Sequence, residues 1–143
     1  MFDFLGFGKK PKTEAIVVDL DGVIFAGFNR FDQLLLDRLS VFQQNGLEIY
    51  VSSTGYNALV NEQMRQNGLD LDLDKSRLGG GSLKAQKAFW KDMVKSGNLP
   101  AGTVFLDDNA ENCKAAKAAG LTALHWDARD PDRIKKLEAA IQP

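Results

Sequence analysis

The sequence has little of what several classes of protein require. It contains one cysteine, Cys113, so an internal disulfide and a cysteine-rich zinc site are both excluded, which suits a reducing compartment. It contains one histidine, His125, on which a metal cluster or a catalytic triad would have to be built alone, and packing at a strand end is the favoured role. No apolar run approaches the ~20 residues of a membrane-spanning helix. These absences predict a cytoplasmic protein without a transmembrane segment.

Neither sign of charge predominates in the chain. Lys and Arg number 18 and Asp and Glu number 19, which gives a formal net charge of −1. That balance argues against nucleic acid as the main partner, because phosphate neutralisation requires an excess of basic residues. With 143 residues, 44% of them hydrophobic and 26% charged, the composition indicates one globular domain and excludes global disorder.

The first residues, MFDFLGFGKKPKT, differ in composition from the rest of the chain. Phenylalanines and a leucine between Phe2 and Phe7 precede three lysines, the reverse of the order in a signal peptide. We predict an N-terminal arm or tail over residues 1–13 and a single domain over residues 14–143. The Phe2–Phe7 arm is a candidate contact with a partner or a membrane surface.

From Ala15 onward, strand-like apolar runs alternate with helix-like segments. Strands are predicted at 15–20, 47–52, 103–106 and 121–125, with a short further strand inside 69–78. The intervening helices include one that Ser82 would cap. Five strands alternating with helices predict an α/β fold, a Rossmann-like three-layer α/β/α sandwich with a five-stranded, mainly parallel sheet. Ligands of such sheets bind beyond the carboxyl ends of the strands.

Reactive side chains lie at these predicted strand ends. Asp19 and Asp21 close the first strand in DLDG, where Gly22 allows a sharp turn, and two such carboxylates can share a divalent cation. Ser52 ends the second strand, or Ser53 does if that strand is one residue longer. A fold needs no acids at the ends of two buried strands, so their order and placement favour function over capping. The other members of the set are Lys84, Asp107 and Asp108.

The motifs resemble those of the haloacid dehalogenase-like superfamily of hydrolases, most of whose members are phosphatases. The resemblance covers roughly residues 16–126. It rests on VVDLDGV at 17–23, Ser52, Lys84 and FLDDNAENCKAAKAAGLTALHW at 105–126. It implies an Mg²⁺-dependent phosphomonoester hydrolase that acts on a phosphorylated substrate through an aspartyl-phosphate.

The resemblance also implies a role for each residue of the set. Asp19 would be the nucleophile, and Asp21 would protonate the leaving oxygen and later deprotonate water. Ser52 would donate a hydrogen bond to a phosphoryl oxygen, and Lys84 would balance negative charge. Asp19, the backbone carbonyl of Asp21 and Asp108 would hold the magnesium ion. Further candidates for substrate binding are Gly22, Ser53 and Asp107.

Two departures from the family pattern leave alternatives open. Lys84 is followed by Ala85, where many relatives have proline, so Lys87 is a possible substitute. Asn112 stands where a further carboxylate is common, and Asp107 would compensate by orienting Lys84.

The spacing of the motifs predicts an open site. Relatives that act on small metabolites usually insert a cap domain between the first and third motifs, and neither Asp21 to Ser52 nor Ser52 to Lys84 has room for one. The site would therefore suit bulky or macromolecular phosphates, or be covered by a neighbouring subunit in a homo-oligomer. The loop over residues 25–31 is the predicted mobile flap.

Two other classes of function remain open from the sequence. One is a catalytically weak phosphate-binding or regulatory module, loosely similar to a response-regulator receiver. The other is an interaction protein recruited through the Phe2–Phe7 arm.

Overall fold

A computed structural model of the chain describes residues 11–27 and 30–143. The expectations for the Phe2–Phe7 arm therefore lie outside the described residues. The described chain begins beside its own end, because the buried Thr13 exchanges hydrogen bonds with Gln142 at 2.9 and 3.1 Å. Among the helices of the described part, none has the length and apolar character needed to cross a bilayer.

A parallel sheet forms the middle layer of the fold, with the strand order β2-β1-β3-β4. The strands are β1 Ala15–Val18, β2 Glu48–Val51, β3 Val104–Asp107 and β4 Thr122–His125. Both central strands, β1 and β3, are buried throughout, as expected for apolar runs covered on two faces. Val18 pairs with Val51 on one side and with Leu106 on the other, so these three strands end at one level.

Helices cover both faces of the sheet. They are α1 Gln33–Gln44, α2 Ala58–Gln66, α3 Leu73–Ser76, α4 Lys87–Lys95, α5 Ala110–Ala118 and α6 Arg133–Ala140, with a 3-10 helix at Gly81–Ala85. One core cluster includes Leu35 of α1 and Leu137 of α6. A second cluster includes Trp90 of α4, Phe105 of β3 and Cys113 of α5. The two clusters lie on opposite sides of the sheet, which confirms the three-layer α/β architecture.

The predicted number of strands is wrong, because the described chain forms four strands and not five. The segment 69–78 forms α3 instead of a strand. The side chain of Asp72 accepts hydrogen bonds from the next backbone N–H groups and so begins a helical turn. Arg77 alone pairs in parallel with Val51, as an isolated bridge beside β2.

The helix expected to begin at Ser82 is divided in two. Residues Gly81–Ala85 form the 3-10 helix, and α4 begins at Lys87 after the extended Gln86, whose φ is −109° and ψ 125°. Ser82 therefore lies inside the 3-10 helix and does not cap α4. The division turns the side chain of Lys84 into the interior, where it is 6% exposed.

A buried ion pair joins the first and last helices. Asp32 is the N-cap of α1 and accepts the Leu35 N–H at 3.3 Å. The same carboxylate accepts hydrogen bonds from Arg133 of α6, 2.7 Å from Nε and 2.8 Å from Nη2. Because the Asp32 side chain is 3% exposed and that of Arg133 14%, the pair is largely withdrawn from water. Removal of either partner leaves the other poorly solvated.

We expect Asp32→Ala to lower the free energy of unfolding by about 3 kcal/mol, because it removes the cap and leaves the Arg133 guanidinium unpaired. Urea denaturation measures this change. The control is Asp37→Ala on the exposed side of α1, which should cost less than about 0.5 kcal/mol. Similar losses for the two variants would contradict the assignment.

Candidate active site

Three aspartates converge where β1 and β3 end. Asp19 follows β1, Asp107 ends β3 and Asp108 follows it. One carboxylate oxygen from each lies within 4.8 Å of the others. The backbone N–H of Asp19 donates to the Leu106 carbonyl at 3.0 Å, which fixes the tip of β1 against β3. Parallel pairing of neighbouring strands thus brings together acids that are far apart in the sequence.

An ammonium group lies among these acids. Lys84 Nζ donates to the backbone carbonyl of Ser52 at 2.6 Å and to Asp19 Oδ1 at 3.2 Å. It also lies 3.5 Å from Asp107 Oδ2. Lys87, the alternative that the sequence left open, is exposed at the start of α4. The structure therefore brings Lys84 to the acids and places Lys87 on the surface.

Asp107 lies behind Lys84, away from solvent. It is 0% exposed, its Oδ1 accepts the Asn109 backbone N–H at 2.9 Å, and its Oδ2 accepts the Asn112 side-chain amide at 2.9 Å. The sequence suggests Asp107 both as a substrate contact and as a group that orients Lys84. Its burial and its filled hydrogen bonds favour the second role.

The two serines at the end of β2 differ in their surroundings. Ser52 is 0% exposed, and its hydroxyl has no hydrogen-bond partner among the residues that the structure describes. Ser53 Oγ accepts the Gly55 backbone N–H at 3.1 Å and so belongs to the turn after β2. Buried hydroxyls are normally satisfied, so the unpartnered Ser52 hydroxyl is suited to a ligand oxygen.

Gly22 makes room for the carboxylate of Asp108. Its φ is +82°, and a Cβ built on it would lie 2.0 Å from Asp108 Oδ2. A side chain at position 22 would therefore both strain the backbone and displace that carboxylate. His125 Nε2 lies 2.9 Å from the backbone carbonyl oxygen of Asp108, so the lone histidine supports the turn that carries this acid.

Asp21 is exposed and is not one of the three converging aspartates. Asp21 forms a bridge with Phe25, which in turn bridges with Phe31, and the two phenylalanine rings stack at 4.8 Å. These contacts form the base of the predicted flap over residues 25–31. Residues 28–29 of that flap lie outside the described chain, and its mobility stays a prediction.

Comparison with solved structures identifies the fold of the chain. The sequence matches no model of a protein family and no curated protein. Among solved structures, an uncharacterized protein from Corynebacterium glutamicum has a TM-score of 0.64 and 19% identity over 92% of this chain and 98% of its own. The phosphatase-containing N-terminal part of BF1531 from Bacteroides fragilis, complexed with Mg, has a TM-score of 0.67 and 16% identity over 97% of this chain and 43% of its own.

A third structure identifies the fold by name. The HAD family enzyme bt-2542 from Bacteroides thetaiotaomicron, in complex with magnesium and inorganic phosphate, has a TM-score of 0.53 and 13% identity over 82% of this chain and 96% of its own. The chain has the haloacid dehalogenase-like fold. At such identities the likeness concerns the fold, and this chain spans less than half of the Bacteroides fragilis protein. The fold thus agrees with the resemblance that the sequence motifs indicated.

Within this haloacid dehalogenase-like fold, crowding of negative charge affects the acids themselves. Burial, and next the charge of Asp107, raise the pKa of Asp19 to about 6, although Lys84 opposes the shift. Burial and the same neighbour also raise the pKa of Asp108. The ionised site is therefore strained by repulsion and desolvation, both of which a bound cation would relieve.

Two buried side chains support this site through contacts that sequence reasoning missed, although Asn112 itself was noted as a departure from the family pattern. Asn112 holds Asp107, and the indole Nε1 of Trp90 donates to the Lys84 carbonyl at 2.8 Å. A signal existed for Asn112, because Asp107 ends a strand and the next residues begin a helix whose first turn returns towards that strand end. The contact of Trp90 had no comparable signal, since it depends on the division of the expected helix at Gln86.

We expect Asp19→Asn to stabilise the protein in EDTA at pH 7 by roughly 1 to 2 kcal/mol. The folded protein holds the Asp19 proton up to about pH 6 against an ordinary value of 3.8, so ionisation of Asp19 costs stability above pH 6. This cost falls as the pH is lowered from 6 and is gone below 3.8.

Thermal denaturation of both proteins between pH 4 and pH 8 measures the difference. The advantage of Asp19→Asn should shrink as the pH falls, whereas Asp92→Asn, at an exposed position on α4, should differ little from wild type throughout. An Asp19→Asn protein less stable than wild type at pH 7 would show that the carboxylate is not strained.

Proposed function

We propose that the protein is a magnesium-dependent phosphomonoester hydrolase that forms an aspartyl-phosphate on Asp19. One observation carries this proposal. The Lys84 ammonium group lies 3.2 Å from Asp19 and contacts Ser52, whose buried hydroxyl has no hydrogen-bond partner among the described residues. A carboxylate nucleophile with two donors suited to phosphoryl oxygens matches the needs of phosphoryl transfer. The shared fold supports the same conclusion, because the BF1531 structure contains a phosphatase domain with Mg.

The donor set fits magnesium. Asp19 and Asp108 offer carboxylate oxygens close together, and this hard cation prefers oxygen ligands. Gly22 leaves the space that the Asp108 carboxylate occupies. The oxygens of Asp107 already accept other hydrogen bonds, so we propose Asp19 and Asp108 as the carboxylate ligands. The backbone carbonyl of Asp21 is a third proposed ligand, which the family resemblance implies. Magnesium supplies Lewis-acid polarisation of a phosphoryl oxygen and neutralises negative charge when it is bound.

The side chains of this chain can carry out both halves of the reaction. A carboxylate oxygen of Asp19 attacks phosphorus, and the bond from phosphorus to the ester oxygen breaks as Asp21 donates a proton to that oxygen. Asp21 then accepts a proton from water, which attacks phosphorus and releases inorganic phosphate and free Asp19. During both steps the Ser52 hydroxyl and Lys84 donate hydrogen bonds to the phosphoryl oxygens, so catalysis rests on positioning and electrostatics.

The surroundings of the acids support a bulky or macromolecular phosphorylated substrate. Asp21 and Asp108 are exposed. A cleft of about 410 Å³ adjoins Asp108 and is lined among others by Ala26, His125 and Arg129. The described chain between Asp21 and Lys84 forms helices and a strand of the domain itself and leaves no segment for a separate cap over the acids. The leaving group of the substrate would therefore extend into this open cleft.

The proposal predicts that Asp19→Asn loses hydrolysis of an aryl phosphate by roughly 10³-fold or more, because the nucleophile is gone. Steady-state kinetics with and without EDTA measures this loss, and removal of magnesium should abolish wild-type turnover. Asp92→Asn is the matched control and should keep wild-type activity. An Asp19→Asn protein as active as wild type would refute the nucleophile. Retained magnesium binding without turnover by wild type, over a broad panel of phosphates, would favour the regulatory module instead.

A pair of lysine variants tests the choice that the sequence left open. We expect Lys84→Met to reduce kcat by roughly 10²-fold, because a donor to the developing charge is lost from a buried site. Lys87→Met should leave kcat unchanged, since this side chain is exposed. Both values are to be normalised to the folded fraction from circular dichroism. Equal losses, or a larger loss at Lys87, would overturn the placement.

A further inference from the structure

The segment that carries Lys84 has little rigidity of its own. Gly79, Gly80 and Gly81 have φ values of 72°, 108° and 51°, a region of the backbone that favours glycine. The 3-10 helix that follows, Gly81–Ala85, is a single short element with weaker hydrogen-bond geometry than an α-helix. The main chain at Lys84 therefore depends on contacts from outside this segment.

Trp90 supplies such a contact. Its indole Nε1 donates to the backbone carbonyl of Lys84 at 2.8 Å, and the side chain is 0% exposed. The Trp90 ring packs at a tilt on Phe105 of β3, with ring centroids 4.4 Å apart, and edge-on to Phe89 at 5.0 Å. Phe105 belongs to the same strand as Asp107. The ring thus ties the Lys84 main chain to the strand whose tip bears an acid of the site.

We propose that Trp90 is a positioning residue of the phosphatase, and this inference rests on the function proposed above. The Lys84 side chain is long and rotatable, so a fixed main chain reduces the range of positions open to its ammonium group, which contacts the Ser52 carbonyl at 2.6 Å. A misplacement of about 1 Å can cost up to 10²-fold in rate. The Trp90 N–H restricts the main chain here by holding the Lys84 carbonyl.

Packing around Lys84 is consistent with this role. A Cβ on Gly80 would lie 2.9 Å from Lys84 Cγ and 3.1 Å from Phe89 Cζ, so the lysine stem and the phenylalanine ring both lie against bare backbone. The stem is therefore enclosed at its base by the glycine segment and by α4. Trp90 holds the Lys84 carbonyl and the stem is enclosed at its base, so only the ammonium end of the side chain, next to the acids, remains free to move.

The test removes the indole N–H and keeps an aromatic ring. We expect Trp90→Phe to lower kcat for an aryl phosphate with magnesium roughly tenfold per folded molecule. KM should stay within about twofold, because a displaced Lys84 ammonium group chiefly loses its interaction with the charge that develops in the transition state. Backbone amide exchange over residues 81–86, followed by mass spectrometry, should become faster.

Thr103→Val is the matched control. Thr103 Oγ1 donates to the Pro100 carbonyl at 2.7 Å just before β3 begins, at the end of the strand opposite Asp107, so the variant also deletes a buried donor to a backbone carbonyl. It should lower the thermal midpoint without changing kcat or the exchange over residues 81–86. A fall in kcat for Thr103→Val as large as that for Trp90→Phe would show general destabilisation and overturn the proposal.

A second replacement separates ring volume from hydrogen bonding. Benzothienylalanine in place of Trp90 keeps the shape of the ring and has sulfur instead of the N–H, so it should fold even if Trp90→Phe does not. It should reproduce the lower kcat and the faster exchange. Unchanged kcat, or unchanged exchange, in a folded protein with this replacement would overturn the proposal. If wild type hydrolyses no phosphate ester, the proposed function fails, and exchange alone still decides whether the N–H anchors Lys84.

Discussion

The balance of charge where β1 and β3 end is the constraint on which the rest of the structure depends. Three carboxylates meet within 4.8 Å, and one ammonium group, that of Lys84, lies among them. One cation cannot neutralise three acids, and burial together with the charge of Asp107 raises the pKa of Asp19 despite the opposing charge of Lys84. A divalent cation and a phosphoryl group together would complete the balance. Stability and function therefore make opposite demands on Asp19.

Three charged groups of the site are supported by neighbours to which we assign no chemical role. The Asn112 amide holds Asp107, Gly22 leaves the space for Asp108, and the Trp90 indole holds the Lys84 main chain. Long charged side chains lose considerable rotamer entropy when they are fixed, and fixed neighbours reduce that cost at the moment of reaction. These supports come from the second core cluster and from turns after strands, which links the packing of one face of the sheet to the geometry of the acids.

The sheet has one strand fewer than predicted, but the acids lie between the two central strands, β1 and β3, so the site does not depend on that further strand. The chain leaves β1 towards β2 on one side and later returns to β3 on the other, so the crevice between the ends of β1 and β3 is the point where the strand order reverses. Beyond β2 the described chain forms no fifth strand, and Arg77 pairs with Val51 only as an isolated bridge.

The sequence by itself determined the alternation of strands and helices and the acids at two strand ends, because these follow from local apolar runs and from the polar residues that end them. Tertiary structure decided the rest. The turn capped by Asp72 replaced a strand because a local cap competes with distant pairing. Parallel pairing of β1 and β2 turned Ser52 inward in preference to Ser53, and division of the expected helix turned Lys84 inward in preference to Lys87. Such choices depend on contacts between segments far apart in the chain, and a pattern read along one segment does not contain them.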